Sequence, residues 1–552
     1  MTDTGRMKKF KLNVTKPEII LIIIFGFALA FSMCIFNQFD ILLHNQIEFG
    51  FSVGEVIVTF ILLVLLVLLV VCSLLLIVAH FSKLAFKIVV SLLFGIMLAC
   101  YVQVLFLNGS YNSGFQNFAA AYQPVSTSEK VVNVCLWVIV CLVPMSLVFT
   151  ELFFKKIAKK DFFKRFILIG SVVIFGMQAT GFVTTLASAE NRTKENVYYF
   201  SVNEQLQLSE HENIIVFVLD RFATEYAEEV FYFHPYTKDF FKGFTFYRDN
   251  VSEYPGTFPS ITTMLTGKPF EETEARESFS RKAWDEAILF DELHKKNYTV
   301  NAILDATSTY YNIDEVIGKI DNVKAASAKS RRVKQVSALA VMSHLALQRV
   351  SPYILKQAVH VNFQTALTDV IGYNLPDYFP RVITAKTDKV FKAKIEDLGL
   401  SADQQKNVFS FVHLNASHEI KRWFDATYDT LKMLDEYFLQ MKQLGIYGSS
   451  TIILVADHGF GGGPNGRYSA SLFIKPKGGS DSDLVIDSET KLSHRNFVSA
   501  ILELIGSDYD KTVNPSYFDI IGGATQERSV YDTDWDWRTG KTVVFFGKRK
   551  ID

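Results

Sequence analysis

Hydrophobic and polar positions divide this chain into two regimes. Up to about residue 189 the apolar residues run on almost without interruption. Five runs are long enough to cross ~30 Å of hydrocarbon, which takes ~20 helical residues. They are about Glu18–Phe36, Val56–Ala79, Leu84–Leu107, Val131–Phe154 and Phe166–Leu186. The second, VIVTFILLVLLVLLVVCSLLLIVA, admits no other reading. The fifth is diluted by Gly170, Gly176 and Gly181, but its length and the basic flank before it place it with the others. The first is too long for a signal peptide, and no small-x-small cleavage pattern follows Phe36. No ionisable residue sits mid-span, which argues against transport.

After about residue 210 the rhythm changes. Short β-branched or aromatic runs, Asn213–Leu219, Phe244–Tyr247, Tyr298–Leu304, Val408–Leu414, Thr451–Ala456 and Ala470–Ile474, alternate with amphipathic stretches. The latter include Lys282–Lys296, Thr427–Leu444 and Asn496–Ile505. Continuously apolar strands are buried on both faces, so the alternation predicts an α/β domain with a mainly parallel sheet between helices. A late run, Thr542–Phe546, would add an edge strand. Residues 306–400 fit the alternation poorly. They hold a helical stretch at Val333–Val350 and the basic cluster KSRRVK, Lys329–Lys334, which reads as a solvated helix start or as a contact for anionic lipid headgroups. The expected organisation is a five-helix transmembrane domain over 1–189, a linker over 190–210 and an extracytoplasmic α/β domain over 211–552.

Charge sharpens this division. Of 56 Lys+Arg and 57 Asp+Glu, residues 1–189 hold 14 and 8, leaving the outer part with a net −7. The N-terminal tail and the loops after the second and fourth runs carry 13 basic residues, and the two alternate loops carry only Lys130. The positive-inside rule therefore puts the N-terminus in the cytoplasm, and an odd number of spans puts the outer domain outside, at a plasma or inner membrane. The formal charge of −1 gives no case for nucleic-acid binding. All five cysteines precede residue 189, so the outer domain has neither a disulfide framework nor a Cys-ligated metal.

Ligands of open α/β sheets bind beyond the carboxyl ends of the strands. Asp220 ends the run NIIVFVLD, and Asp457-His458 end TIILVADHG, where Gly459 permits a sharp turn. Carboxylate oxygen and imidazole nitrogen suit Zn²⁺ or Mn²⁺. Between them, GTFPSITTMLTGKP sets Thr257 on a tight turn before a helix-like run, where amides and helix dipole favour an anion. A metal can lower a hydroxyl's pKa and make it a nucleophile. Each feature alone is also compatible with a cap or turn.

Together these residues resemble the alkaline phosphatase/sulfatase superfamily. The features are an Asp at the first strand end, Thr257-Phe258-Pro259-Ser260 before a helix ending in Leu-Thr-Gly, and a later Asp-His-Gly. The resemblance implies one divalent metal held by Asp220, Thr257, Asp457 and His458, with Thr257 as the catalytic nucleophile. LSHRNFVSAILELIG resembles a segment of phosphoethanolamine transferases and implies that His494 serves the substrate or a second metal. FVHLNASHEI implies the same for His418, whereas His413, on the strand itself, reads as structural. Five spans followed by such a domain is also the layout of lipoteichoic acid synthases.

The implied activity is transfer of a phospholipid headgroup, glycerol phosphate or phosphoethanolamine. The acceptor would be a cell-envelope glycan or glycolipid, reached through a phospho-threonine. The alternatives are a phosphodiesterase on the same fold or a non-catalytic lipid-sensing relative. A sulfatase normally converts Cys or Ser to formylglycine, and position 257 is Thr. Asp at position 220, where the transferases carry Glu, and the Thr-x-Pro-Ser turn leave the transferred group open.

Overall fold

A computed structural model describes the chain except residues 1–12, 110–124, 154–161, 189–195, 307, 357, 360–369, 419–421, 461–464, 480–481, 536–541 and 552. Arg6, Lys8, Lys9, Lys11, Lys155, Lys156, Lys159 and Lys160, on which much of the loop-charge argument rests, lie outside the described residues. The chain forms two compact units.

The first unit contains five helices long and apolar enough to cross a membrane: α1 (Lys16–His44), α2 (Val53–Phe81), α3 (Lys83–Leu107), α4 (Thr127–Phe153) and α5 (Phe162–Ser188). Their starts follow from local chemistry. Thr15 with Glu18 and Ser52 with Glu55 form capping boxes that occupy otherwise orphaned N–H groups. The apolar core of α1 is 61% buried against 11% for α2, so α1 is the hub and α2 turns its side chains outward. Two of the helices leave α-geometry. Ser32–Phe36 in α1 and Gln103–Leu107 in α3 are π-helical turns.

This unit also takes back a segment expected in the outer domain. Arg332–Gly372 belongs to it, which explains why the alternation of strand and helix failed there. The helix Gln335–Val350 (α7) buries Ala338, Met342, Leu345 and Ala346 in one cluster with Phe39, Phe60 and Val64 of the spans. Polar contacts fix its register: the Thr59 hydroxyl donates to Gln335 Oε1 at 2.7 Å, and Arg349 pairs with Asp40 at 2.5 Å.

The second unit is built on a seven-stranded sheet. Its strands in chain order are β1 (Asn213–Leu219), β2 (Thr245–Val251), β3 (Tyr298–Ile303), β4 (Asn407–Leu414), β5 (Ser450–Ala456), β6 (Leu472–Lys475) and β7 (Val485–Ser493). They lie in the order β7-β2-β6-β5-β1-β4-β3. β3, β4, β1 and β5 are mutually parallel. Only β6 runs against its neighbours, and β7 is parallel to β2. Every residue of β1 and β5 is buried, as continuous apolar runs require. Phe473 of β6 stacks on Phe246 at 4.2 Å and on Phe241 at 4.9 Å, which anchors the reversed strand in the core.

Three sequence expectations change here. The stretch 190–210 is no plain linker, because Asn196–Ser201 pairs with Val323–Ser327 and Tyr378–Phe379 in a small sheet. Thr542–Ile551 is not an edge of the main sheet but pairs with Arg528–Trp535 in another. The stretch Lys282–Lys296 is two helices, Arg276–Asp285 and Leu289–Lys295. β7 escaped notice because its residues VIDSETK are exposed and polar at the sheet edge.

Candidate active site

Because six strands run one way, their carboxyl ends deliver side chains to one edge. Asp220 follows β1, and Asp457 and His458 follow β5 one strand away. Ligand atoms of these three lie within 4.8 Å of one another. His458 Nε2 is 3.5 Å from Asp457 Oδ2 and 3.9 Å from Asp220 Oδ1. All three residues are buried.

The hydrogen bonds around them leave one set of atoms over. Asp457 Oδ1 accepts from the backbone N–H of Arg221 (2.9 Å) and of His458 (2.8 Å). His458 Nδ1 lies 2.7 Å from the Gly459 carbonyl, so it carries the proton and Nε2 presents a lone pair. Among the described residues, Asp220 Oδ1 and Asp457 Oδ2 have no hydrogen-bond partner. Two buried carboxylate oxygens and a neutral imidazole nitrogen converging this closely are unfavourable unless a cation joins them. The donor set therefore fits a divalent metal, with oxygen and nitrogen ligands in the proportions Zn²⁺ or Mn²⁺ accept.

The electrostatics agree. Burial, and then the neighbouring Asp457, push the Asp220 carboxyl well above the carboxylate range. Burial also acts upward on Asp457, but His458, His413, the Arg221 amide and the Thr257 hydroxyl outweigh it and hold the group low. Burial lowers His458, which is neutral at physiological pH. A metal would suppress the remaining carboxylate repulsion.

Thr257 lies behind Gly256 at the head of Thr257–Thr266 (α6), one residue before an extended Phe258 (φ −98°, ψ 130°) after which the regular helix begins, and its hydroxyl faces the Asp457 carboxylate. Three residues on, the Ser260 hydroxyl donates to the Asp457 carbonyl at 2.6 Å, which locks the start of α6 to the end of β5. Asp220, Thr257, Asp457 and His458 are thus brought together.

The two other histidines are not in this cluster. His418 ends the short turn Ala416–His418 after β4 and is exposed. Its side chain reaches solvent, but the protein packed around part of the ring, and then the nearby Arg221, push it below its ordinary pKa. His494 is 2% exposed, its Nδ1 3.4 Å from Ser260 Oγ, and burial pushes it down to about 3. It backs the turn that carries Thr257.

Sequence reasoning missed three neighbours. His413, set aside as structural, points its Nε2 at Asp220 Oδ2 from 3.8 Å, and among the described residues neither of its ring nitrogens has a hydrogen-bond partner. A polar residue near the end of the apolar run Val408–Leu414 was the available signal; the pairing of that run with β1 was not. Asp305, after β3, is buried and adds its charge to Asp220. Arg221 adopts φ 61°, rare for a residue with a side chain, and lays its guanidinium 3.9 Å from the Phe460 ring centre. No sequence pattern marks such a conformation.

Comparison with known proteins gives the fold its family. A family model described as Sulfatase matches residues 212–507, more than half of the chain. No curated protein sequence matches. Among solved structures, Ps i-CgsB in complex with k-i-k-neocarrahexaose is 12% identical, covering 58% of this chain and 80% of its own, with a TM-score of 0.41. Phosphonate monoester hydrolase SpPMH from Silicibacter pomeroyi is 13% identical, covering 59% and 80%, with a TM-score of 0.35. An alkaline phosphatase superfamily protein from Vibrio parahaemolyticus is 11% identical, covering 65% and 85%, with a TM-score of 0.32. With the matched segment taking in all seven strands and every residue of the cluster, the chain belongs to the sulfatase family, as a member preceded by five long apolar helices.

Proposed function

We infer that this protein transfers a phospholipid headgroup, glycerol phosphate or phosphoethanolamine, to a hydroxyl of a cell-envelope glycan or glycolipid. The observation that carries the reading is a threonine hydroxyl, rather than a Cys or Ser, facing Asp457 at a helix start beside Asp220 and His458. Such a site suits attack on a phosphodiester. The five apolar helices supply the second half of the argument, since a site tethered to a bilayer meets lipid donors at high effective concentration. The loop charges support a cytoplasmic N-terminus and a site on the outer side of a plasma or inner membrane.

In this mechanism Asp220, Thr257, Asp457 and His458 would hold the metal, which when bound would lower the pKa of the Thr257 hydroxyl and offset phosphate charge. Thr257 Oγ attacks phosphorus, the bond from phosphorus to the glyceride oxygen breaks, and diacylglycerol leaves with a proton. The acceptor hydroxyl then attacks the phospho-threonine, gives up its proton and restores the Thr257 hydroxyl. Arg221 steadies the phosphate oxygens through its guanidinium. His418, on the open side, is the proton carrier, with a pKa lowered toward the neutral form. His494 acts through Ser260 by holding the nucleophile turn.

The test is peptide mass mapping of the full chain after incubation with a phospholipid. A headgroup-phosphate increment on Thr257, absent in Thr257→Ala, is expected. Transfer that persists in Thr257→Ala would overturn the assigned nucleophile. Free headgroup phosphate in place of a headgroup-modified glycan or glycolipid would establish the phosphodiesterase reading.

A further inference from the structure

Apart from the metal cluster, the carboxyl edge of the main sheet holds a cavity of about 440 Å³ where the paired strands β2 and β7 end. Val251 and Ser493 face each other in register, and two residues beyond them stand Glu253 and Arg495. Both line the cavity. Further walls come from Thr263 and Thr266, in the second half of α6, and from the helix Phe497–Leu504.

Glu253 is the anomaly. It is 4% exposed, yet among the described residues its carboxyl has neither a hydrogen bond nor an ion pair. Unlike Asp220 Oδ1, its oxygens are not sealed from solvent, so they open to the cavity they line. A buried carboxyl ordinarily has a partner. Burial raises this one to about 7, and the more distant Arg495 and Lys548 oppose the shift without cancelling it. Arg495 is tied elsewhere: its Nε donates to Asn514 Oδ1 at 3.0 Å. Its two terminal nitrogens have no partner among the described residues. The cavity thus presents one carboxyl and one guanidinium edge that do not satisfy each other.

The other charges around it are committed or open to water. Lys268 pairs with Glu286, Asp510 accepts from the Thr512 and Val513 amides, and Asp508 is exposed. A bare cation in the cavity would meet the Arg495 guanidinium, and a bare anion would meet the Glu253 carboxylate. A ligand carrying both signs is favoured on both sides, and the terminal N–H groups of an arginine can grip an oxyanion in two-pronged fashion. Neighbouring strands lie ~4.8 Å apart, so a ligand of a few atoms can reach both groups. At the ~30 Å³ share of a water, the cavity has room for a small molecule and not for a diacyl lipid.

We propose that this cavity is a second ligand site, taking a small zwitterion whose primary ammonium binds Glu253 and whose oxyanion binds Arg495. A free amino acid and phosphoethanolamine share this chemistry. The ligand lies against α6, whose head carries Thr257, and against His494, which contacts Ser260, so its occupancy braces the nucleophile turn from behind. The site does not depend on the transfer reading.

The test is isothermal titration of the full chain in a maltoside detergent. Alanine and O-phosphoethanolamine are the zwitterionic probes, and ethanolamine and inorganic phosphate carry one sign each. At least one zwitterion should bind ~10–100-fold more tightly than either single-sign compound and slow hydrogen exchange over residues 508–514. Preference for alanine would identify an amino acid as the ligand, and preference for O-phosphoethanolamine a headgroup. Glu253→Gln, which keeps the side chain's shape, and Arg495→Gln should each weaken that binding ~10–100-fold. Equal binding of ethanolamine or phosphate, binding that survives both substitutions, or no binding of either zwitterion at millimolar concentration would overturn the proposal.

Thr257→Ala should bind the zwitterion as the unaltered protein does. Loss of transfer in that variant therefore leaves this site standing, and failure of binding in the unaltered protein leaves the transfer reading untouched.

Discussion

Gly459 is the residue whose replacement tests the metal cluster most directly without touching a ligand. The sequence suggests a turn glycine, but its backbone is not left-handed. The constraint is a close approach. A Cβ built at Gly459 would lie 2.3 Å from the Ser469 carbonyl oxygen and 3.0 Å from that of Gly466. Both are backbone atoms, so no side-chain rotation relieves the clash. The segment must move by about 1 Å to restore ordinary contact, and overpacking of this kind costs ~1–3 kcal/mol.

The same movement displaces the Gly459 carbonyl that holds His458 Nδ1. Loss of such a support typically costs ~10–100-fold in metal affinity. Gly459→Ala should therefore lower the melting temperature of the metal-free protein by roughly 3 °C, taking ~2 kcal/mol and ~1.5 °C per kcal/mol for a unit of this size. It should also weaken metal binding by ~10–100-fold in competition with a fluorescent chelator. Unchanged metal affinity in a folded Gly459→Ala protein would refute the claim that this carbonyl orients His458. A lost affinity with unchanged melting would refute the clash.

Three further outcomes follow from the second unit. Asp220→Asn should cost most of the metal affinity yet raise the stability of the metal-free protein at neutral pH, since burial and the neighbouring Asp457 disfavour its carboxylate; equilibrium dialysis and thermal melts with a chelator check both. Glu253 is 4% exposed, and burial, opposed by Arg495 and Lys548, raises its carboxyl from 4.5 to about 7. Its stabilising protonated form is fully present below pH 4.5 and is lost as pH rises through about 7, so Glu253→Gln should gain up to ~3 kcal/mol at pH 8 and nothing at pH 4.5, read by denaturant titration at both. Arg528 is buried and grips Asp249 with both nitrogens, at 2.7 and 3.1 Å. Arg528→Met should cost ~1.5–3 kcal/mol of unfolding free energy, toward the lower end because Asp249 is partly hydrated.

The contrast between Asp457 and Arg221 shows what a sequence carries and what it withholds. Asp220 and Asp457 were legible because β1 and β5 are continuous apolar runs, and a polar residue that ends such a run must sit at a sheet edge. The five spans were legible for the same reason: length and apolarity are properties of consecutive residues. What failed was whatever depends on pairing between distant segments. Gln335–Val350 reads as an ordinary amphipathic helix, and nothing in its own sequence says that its partners are Phe39 and Phe60 rather than the sheet. His413 alternates inward like its neighbours, and only the adjacency of β4 to β1 turns it toward Asp220.

His494 makes the same point from the other side. Its motif marked it as a residue of consequence, but its place behind Ser260 depends on how β7 and α6 meet the end of β5. Its position makes it a support for the turn that carries Thr257, so His494→Gln should reduce kcat more than it raises KM. A substrate ligand would move KM first, and steady-state kinetics on the full chain would decide between the two.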